Sequence, residues 1–374
     1  MNPTLVTDPH ELGRLCRRWE QQERLCLDTE FVRTRTFYAH LGLIQVADER
    51  GVYLVDAVAI DDLAPFAAVL ASPRSRKVLH SCGEDLGVFQ HRFGRLPRGL
   101  FDTQVAAALV GLGFSLSYQG LVSSLLGIHV EKEETRSNWT ARPLREAQLG
   151  YAASDVAHLG ELHAHLAGRL AELGREAWAE EEFARVLEKS RHAVPPHQAF
   201  RRVKGHGSLD RRGQAILRGL CAWREDEARR RDLARGFVVR DPVLLAVARA
   251  RPRSRRDLRD VRELGSRDRR RYGDALLAIV DEAMALDGSD LPERRAPSRR
   301  VPRLAERVRE LQELVAEIGD SLQIAPEVLA QRRVLESLVR SYFGKGSRDL
   351  PEELEGWRRA VVGEPALARL DAMS

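Results

Sequence analysis

Cysteine, lysine and long apolar runs are all scarce in this chain. The four cysteines, Cys16, Cys26, Cys82 and Cys221, show no C-x-x-C spacing. That excludes a disulfide framework and a thiolate zinc site, so free thiols and no disulfide partner are expected. No segment approaches the roughly 20 apolar residues of a membrane span, so no membrane partner is expected either. The opening residues, MNPTLVTDPHELGRLCRR, carry charges where a secretory signal needs an apolar stretch, and a cytoplasmic location follows as the expectation. Histidines are too dispersed to form a catalytic set. His158, His163 and His165 read as surface or packing residues on one helix.

What is present is a soluble composition, 43% hydrophobic and 31% charged, over 374 residues, a length that predicts two or three domains. The net charge of +5 conceals segregation. Residues 1–200 hold 22 Lys and Arg against 26 Asp and Glu, residues 201–300 hold 27 against 16, and residues 301–374 hold 11 against 13. The basic block is therefore the middle one. Concentrated positive charge is the footprint of a polyanion partner, because each neutralised phosphate releases counterions. Arginine-rich coding bias and simple solvation of charged helices are the ordinary alternatives.

Three β-like runs, RLCLDTEF, LGLIQVAD and GVYLVDA, follow one another from Arg24 to Ala57, and their short connections predict antiparallel neighbours. A helical run DDLAPFAAVLAS, a short strand KVLHS and a helix from near Gly83 complete an α/β texture with a mixed sheet. From Pro143 to about Arg191 the pattern is helical. The stretch HAVPPHQAFRRVKGHGSLD, with Pro195 and Pro196, reads as the principal boundary, and DGSDLPERRAPSRRVP as a second linker. The expected domains are 1–195, 207–288 and 298–374, the last two all helical.

The chemistry sits in the acids. Asp28 and Glu30 lie two apart in a strand, so both project to one face. Like charges that close repel unless a cation lies between them. A solvated edge charge is the plainer reading of such a pair alone. Asp85 opens a helix, where a structural acid is equally at home. Tyr151 and Asp155, four apart on a helix, also read as a packing aromatic and an ion-pair acid. Together the four acids form an all-oxygen set suited to Mg²⁺ or Mn²⁺ and unsuited to zinc. Asp102 reads as a helix N-cap and Trp139 as a buried anchor.

Four ordered blocks, LDTEFVRTRTFYAHLGLIQVAD, HSCGEDLGVF, FDTQVAAAL and RSNWTARPLREAQLGYAASDVAHL, resemble the ribonuclease D family of DEDD 3′→5′ exonucleases over residues 1 to about 170. The resemblance implies an α/β ribonuclease-H-like exonuclease domain, a mixed sheet flanked by helices, followed by two small all-α HRDC-type domains. It implies Asp28 and Glu30 as the first motif, Asp85 as the second, and Tyr151 with Asp155 as the third, in the DEDDy branch. Those four acids would be ligands of two divalent ions, Mg²⁺ or Mn²⁺, and Asp28 would bridge them. Tyr151 would orient the attacking water, since a phenol of pKa about 10 is a poor general base. Phe31 and His80 would border the terminal nucleotide, with core packing as the alternative for each. The implied activity is removal of nucleoside 5′-monophosphates from RNA 3′ ends, with tRNA precursors as partners. A DNA exonuclease of the same superfamily and a non-catalytic RNA-binding protein are the competing readings. The block RGQAILRGLCAWREDEARRRDLARGFVVRDPVLLAVARARPRS resembles the HRDC domain, with a protein-interaction module as its alternative. The tail resembles a second HRDC-like unit by position. Asn138 departs from the pattern, since relatives carry an acid before this tryptophan.

Overall fold

The computed structural model describes residues 2–131, 134, 137–191, 196–292 and 301–374. Pro195 at the expected boundary and residues 293–300 of the expected second linker lie outside the described residues. Two compact units emerge, one from Met1–Val32, His40–Arg191 and Ser298–Ser374, the other from Arg33–Ala39 and His192–Pro297.

The first unit is built on a six-stranded sheet of order β1-β4-β3-β2-β5-β6. Its strands are β1 (Thr4–Val6), β2 (Arg24–Val32), β3 (His40–Asp48), β4 (Gly51–Asp56), β5 (Arg76–Leu79) and β6 (Leu100–Asp102). Strands β2, β3 and β4 pair antiparallel, as their short connections demand, whereas β1, β5 and β6 add in parallel at the flanks. The parallel pairs are fed by helical crossovers: α1 (Pro9–Trp19), α2 (Ala64–Ala71) and α3 (Gly83–Phe93). α1 begins at Asp8, whose carboxylate accepts the Glu11 amide at 2.8 Å, with Pro9 pre-set in the first turn. It buries Leu12, Leu15, Cys16 and Trp19 on one face. Further helices are α4 (Thr103–Leu109), α5 (Tyr118–Leu126), α6 (Glu146–Ala157), α7 (Leu159–Glu172) and α8 (Glu176–Arg191).

The register of β2 against β3 shifts between Glu30 and Phe31. Gly42 is the extra residue of that bulge, skipped between Leu41 and Leu43. A Cβ on Gly42 would stand 2.3 Å from the Trp139 carbonyl oxygen, so only glycine lets the 139–142 turn lie against the sheet. Arg142 fastens that turn by donating to both Asp56 oxygens at 2.6 Å and to the Gly42 carbonyl at 2.8 Å.

The second unit holds α9 (Arg211–Arg230), α10 (Arg235–Val238), α11 (Asp241–Ala250), α12 (Asp257–Asp260) and α13 (Ser266–Ala285) around its own core, including Ile216, Leu220, Leu244, Leu258, Leu276 and Val280. Asp210 caps α9 by accepting the Gly213 amide at 2.8 Å. The β2–β3 connection clusters here, with Phe37 between the guanidinium groups of Arg229 and Arg235.

The C-terminal helices α14 (Leu304–Leu322), α15 (Pro326–Leu329), α16 (Arg332–Lys345) and α17 (Glu364–Ala372) share one core with the sheet. Trp357 stacks on Trp178 of α8 with ring centroids 4.4 Å apart. Arg175, only 6% exposed, donates to the Leu109 carbonyl at 2.7 Å and to the Leu322 carbonyl at 2.6 Å.

Candidate active site

The alternation of β2 turns Leu25 and Leu27 inward, fully buried, and sends Asp28 and Glu30 together to the opposite face. α6 packs over that face of β2, β3 and β4 and brings Asp155 to the pair. One carboxylate oxygen from each of Asp28, Glu30 and Asp155 lies within 4.8 Å of the others. Among the described residues this is the one set of three or more His, Cys, Asp or Glu side chains so gathered.

The fourth acid reaches the site differently. Asp85 lies in the first turn of α3, 7% exposed, and accepts a hydrogen bond from the Thr29 hydroxyl. Thr29, between the two strand acids, thus ties the second motif to the first from the other side of the sheet. Asp85 still raises the pKa of both Asp28 and Glu30. It belongs to the same electrostatic site while standing outside the three-oxygen cluster.

The site is electrostatically expensive. Burial, then repulsion from Asp155 and Asp85, pushes Glu30 up to about 9. Burial and the charges of Asp85, Asp155 and Glu30 hold Asp28 well above the carboxylate range. Burial pushes Asp85 up to about 7 against the opposing hydrogen bond from Thr29. Acids gathered at such cost make this the candidate functional site, and an all-oxygen cradle fits a hard divalent cation, which would reverse the sign of the local field.

Tyr151 projects one turn before Asp155 and packs on Trp139, ring centroids 6.1 Å apart. Trp139 is the buried anchor expected of it, 1% exposed. Phe31 lies just past the bulge, half-buried. His80 is committed at both nitrogens, with Nδ1 2.9 Å from the Thr103 hydroxyl and Nε2 3.1 Å from the Leu116 carbonyl. The three histidines after Asp155 divide as surface and packing groups: His163 meets the Phe101 ring edge-on with centroids 4.5 Å apart, His158 is half-buried with Nδ1 3.5 Å from Glu161, and His165 is exposed.

Asp102 does more than cap α4. Its carboxylate accepts the amides of Gln104 at 2.9 Å and Val105 at 3.3 Å, and those of Ser81 at 3.1 Å and Cys82 at 2.9 Å. One buried acid therefore sets the starts of α3 and α4 together, and with them Asp85. Tyr118 similarly locks the end of α6: its hydroxyl donates to the Ser154 carbonyl at 2.8 Å and accepts the His158 amide at 3.3 Å. The sequence analysis did not single out Thr29 or Tyr118. The position of Thr29 inside DTE was the available signal, and Tyr118 had none.

This arrangement, an acid pair on a central strand met by acids from two helices, is a candidate carboxylate site for a metal ion, of the kind nucleases use. The profile of a 3′-5′ exonuclease family matches residues 3–171, that of the HRDC domain 213–280, and that of a ribonuclease D C-terminal HRDC domain 302–366. Ribonuclease D of Pseudomonas paraeruginosa is 40% identical over 98% of this chain and 97% of its own length. Ribonuclease D of Escherichia coli is 36% identical over 97% of each. The crystal structure of E. coli RNase D, described as an exoribonuclease involved in structured RNA processing, superposes with a TM-score of 0.91 at 35% identity, covering 100% of this chain and 99% of that one. The chain belongs to the ribonuclease D family.

Proposed function

We propose that the chain is a 3′→5′ exoribonuclease that hydrolyses the terminal phosphodiester of RNA with two divalent cations, Mg²⁺ or Mn²⁺, releases nucleoside 5′-monophosphates, and trims tRNA precursors in the cytoplasm. The observation that carries this reading is the meeting of Asp28, Glu30 and Asp155 within 4.8 Å in a chain related to ribonuclease D along its whole length.

Asp28, Glu30 and Asp155 would hold one cation, and Asp85 with Asp28 would serve a second. The bound ions would lower the pKa of an attacking water and stabilise the departing 3′ oxygen of an in-line displacement. Tyr151 orients that water by hydrogen bonding from the turn above Asp155. Phe31 borders the terminal nucleotide. His80, held at both nitrogens by the Thr103 hydroxyl and the Leu116 carbonyl, borders it as well. The unit of residues 207–288 supplies sequence-independent attraction to phosphate, because residues 1–200 sum to −4 and attract a polyanion poorly beyond the site.

The test compares RNA and DNA strands of matched sequence, labelled at either end, with EDTA, Mg²⁺ or Mn²⁺. Cation-dependent release of mononucleotides from the RNA 3′ end is expected. Asp155→Asn should lower turnover by about 10³-fold, the scale of removing one preorganised electrostatic group, and leave RNA affinity near its starting value. Turnover in EDTA, or an Asp155→Asn variant as fast as the parent, would overturn the assignment. Equal degradation of DNA would move the substrate class.

A further inference from the structure

Gln45 occupies the centre of β3 with no exposed surface, and neither Nε2 nor Oε1 of its side chain has a hydrogen-bond partner. A buried amide left this way costs free energy comparable to a lost hydrogen bond or more. Native interiors rarely keep one without a reason. The surroundings narrow that reason. Gln45 pairs across the strands with Asp28 on one side and Leu54 on the other. Directly opposed residues of an antiparallel pair share a face with Cβ atoms about 4.5–5.5 Å apart. The residues two along β3 in each direction, Leu43 and Ala47, are apolar and buried, as is Leu54. On the covering helix α6 the buried positions include Ala152, Ala153 and Val156. Its buried Gln148 spends Oε1 on the Arg145 amide at 3.1 Å, in the helix cap. Of the residues directly opposite Gln45 and two along β3 from it, Asp28 alone has a hydrogen-bonding side chain, and Glu30, diagonal to Gln45 on β2, belongs to the same acidic cluster.

We propose that Gln45 is a positioning residue of the acidic site: when a divalent cation is bound, its amide N–H donates to one oxygen of Asp28 and leaves the other oxygen free for the cation. The inference rests on the metal-dependent reading above and extends it to a residue outside the acidic motifs. A carboxylate shared between two ions must present defined lone pairs. Hydrogen bonds from the surrounding shell are how proteins fix them, and their loss typically costs about 10- to 100-fold in metal affinity or activity. In the metal-free protein the same amide is an uncompensated polar group.

The two states give opposite signs, which a purely structural role would not. Gln45→Met removes the amide at similar volume, and Gln45→Leu provides a second apolar variant should the first misfold. The measurements are Mn²⁺ affinity by titration calorimetry on the full chain, melting in EDTA, and turnover with KM on a short RNA. For either variant, melting in EDTA should rise by about 2–4 °C, the shift expected when an unsatisfied buried amide is replaced. Mn²⁺ should bind about 10- to 100-fold more weakly, and turnover should fall with KM for RNA unchanged. Mn²⁺ affinity within twofold of the parent would overturn the proposal, as would a fall in EDTA melting, which would mean that the amide is already satisfied. If the parent itself bound no Mn²⁺, the metal-dependent reading would fail instead.

Discussion

The middle helical unit and the C-terminal helices match related domain profiles, but they differ in net charge and in how their cores close. Residues 301–374 hold 11 Lys and Arg against 13 Asp and Glu, and their arginines pair both with near neighbours, Arg303 with Glu306, Arg340 with Glu336 and Arg359 with Glu355, and across the fold, Arg348 with Asp371 and Arg358 with Glu182 of α8. The middle unit pairs arginines too, among them Arg224 with Asp241, Arg235 with Glu225 and Arg255 with Asp274, but with 27 Lys and Arg against 16 Asp and Glu over residues 201–300 it also leaves Arg256, Arg259, Arg262, Arg267 and Arg270 exposed and without an ion pair among the described residues. The middle unit also closes its own core, whereas the C-terminal helices complete the core of the sheet. A shared fold does not fix a shared role. A surplus of exposed positive charge on an independent core suits phosphate binding; a near-balanced charge and a borrowed core suit a buttress.

The largest effect expected is a difference in how the two units respond to pH without metal. The raised carboxyls, Asp28, Glu30 and Asp85, all belong to the first unit. Each favours the protonated folded form, so its contribution is complete below about pH 4 and disappears as pH rises through the folded pKa, about 7 for Asp85 and about 9 for Glu30. In the second unit Asp210 is held below the usual range by Arg251 and the Gly213 amide. Its contribution is present above about pH 4 and fades only in acid. Calorimetry in EDTA from pH 5 to 9 should show the first unit losing stability while the second holds, and saturating Mg²⁺ should flatten the first unit's slope. A first unit whose stability in EDTA is flat or rises with pH would break the comparison.

Next comes the buttress. Glu182 accepts from Trp357 Nε1 at 2.9 Å and from Arg358 Nη1 at 2.5 Å, with the two charged side chains 17% and 12% exposed. Glu182→Ala leaves Arg358 nearly buried with only the Val328 carbonyl to accept from it. The expected loss is about 2–3 kcal/mol, below the usual figure for a buried pair because both partners retain some water. Urea denaturation would read it. RNA affinity should keep its salt dependence, and a changed salt slope would mean that the buttress also binds.

A smaller effect isolates the basic unit. Arg267 and Arg270 share one face of the first turns of α13, being three residues apart. Replacing both with serine should weaken RNA binding by about tenfold and reduce the slope of log K against log salt by about 1.4, near 0.7 for each single-strand phosphate contact. Melting should not move. Truncation near Pro196 is a poorer test than the sequence suggests, since that cut also removes Leu354, Trp357 and Leu370 from the core around the sheet. An unchanged salt slope in the arginine variant would favour the protein-interaction reading of this unit.

Strand alternation and helical spacing made the three central strands, the acid pair and the helical run after Pro143 legible, because each signal is local and periodic. The short flanking strands β1 and β6, three residues each, were not legible: segments that short acquire strand geometry only from a neighbour. Motif spacing exposed all four acids. It did not expose the groups that hold them, since Thr29, Tyr118 and the double role of Asp102 depend on contacts across 56, 36 to 40, and 20 to 21 residues respectively. Gln45 was hidden for a related reason. One polar residue inside LIQVA reads as a tolerated substitution until the register sets it opposite Asp28. The merging of the C-terminal helices with the sheet was equally hidden, because an amphipathic period reports that a face is covered without saying by what.

Asn138 should give the smallest effect, and it tests whether the acidic site extends past its four acids. The resemblance leads one to expect an acid here, yet Asn138 is exposed and its Oδ1 accepts from the Thr140 hydroxyl at 2.8 Å and the Thr140 amide at 3.2 Å. An aspartate can make both of those bonds, so the turn that carries Trp139 loses nothing in the exchange. The added charge remains in water, where screening reduces its influence on the buried acids. Asn138→Asp should therefore change turnover by less than about threefold and leave melting within about 0.5 kcal/mol, as for surface changes elsewhere. A tenfold gain in turnover with tighter Mn²⁺ binding would instead mean that this turn contributes a fifth carboxylate in relatives, and that the chain works with a weaker version of their site.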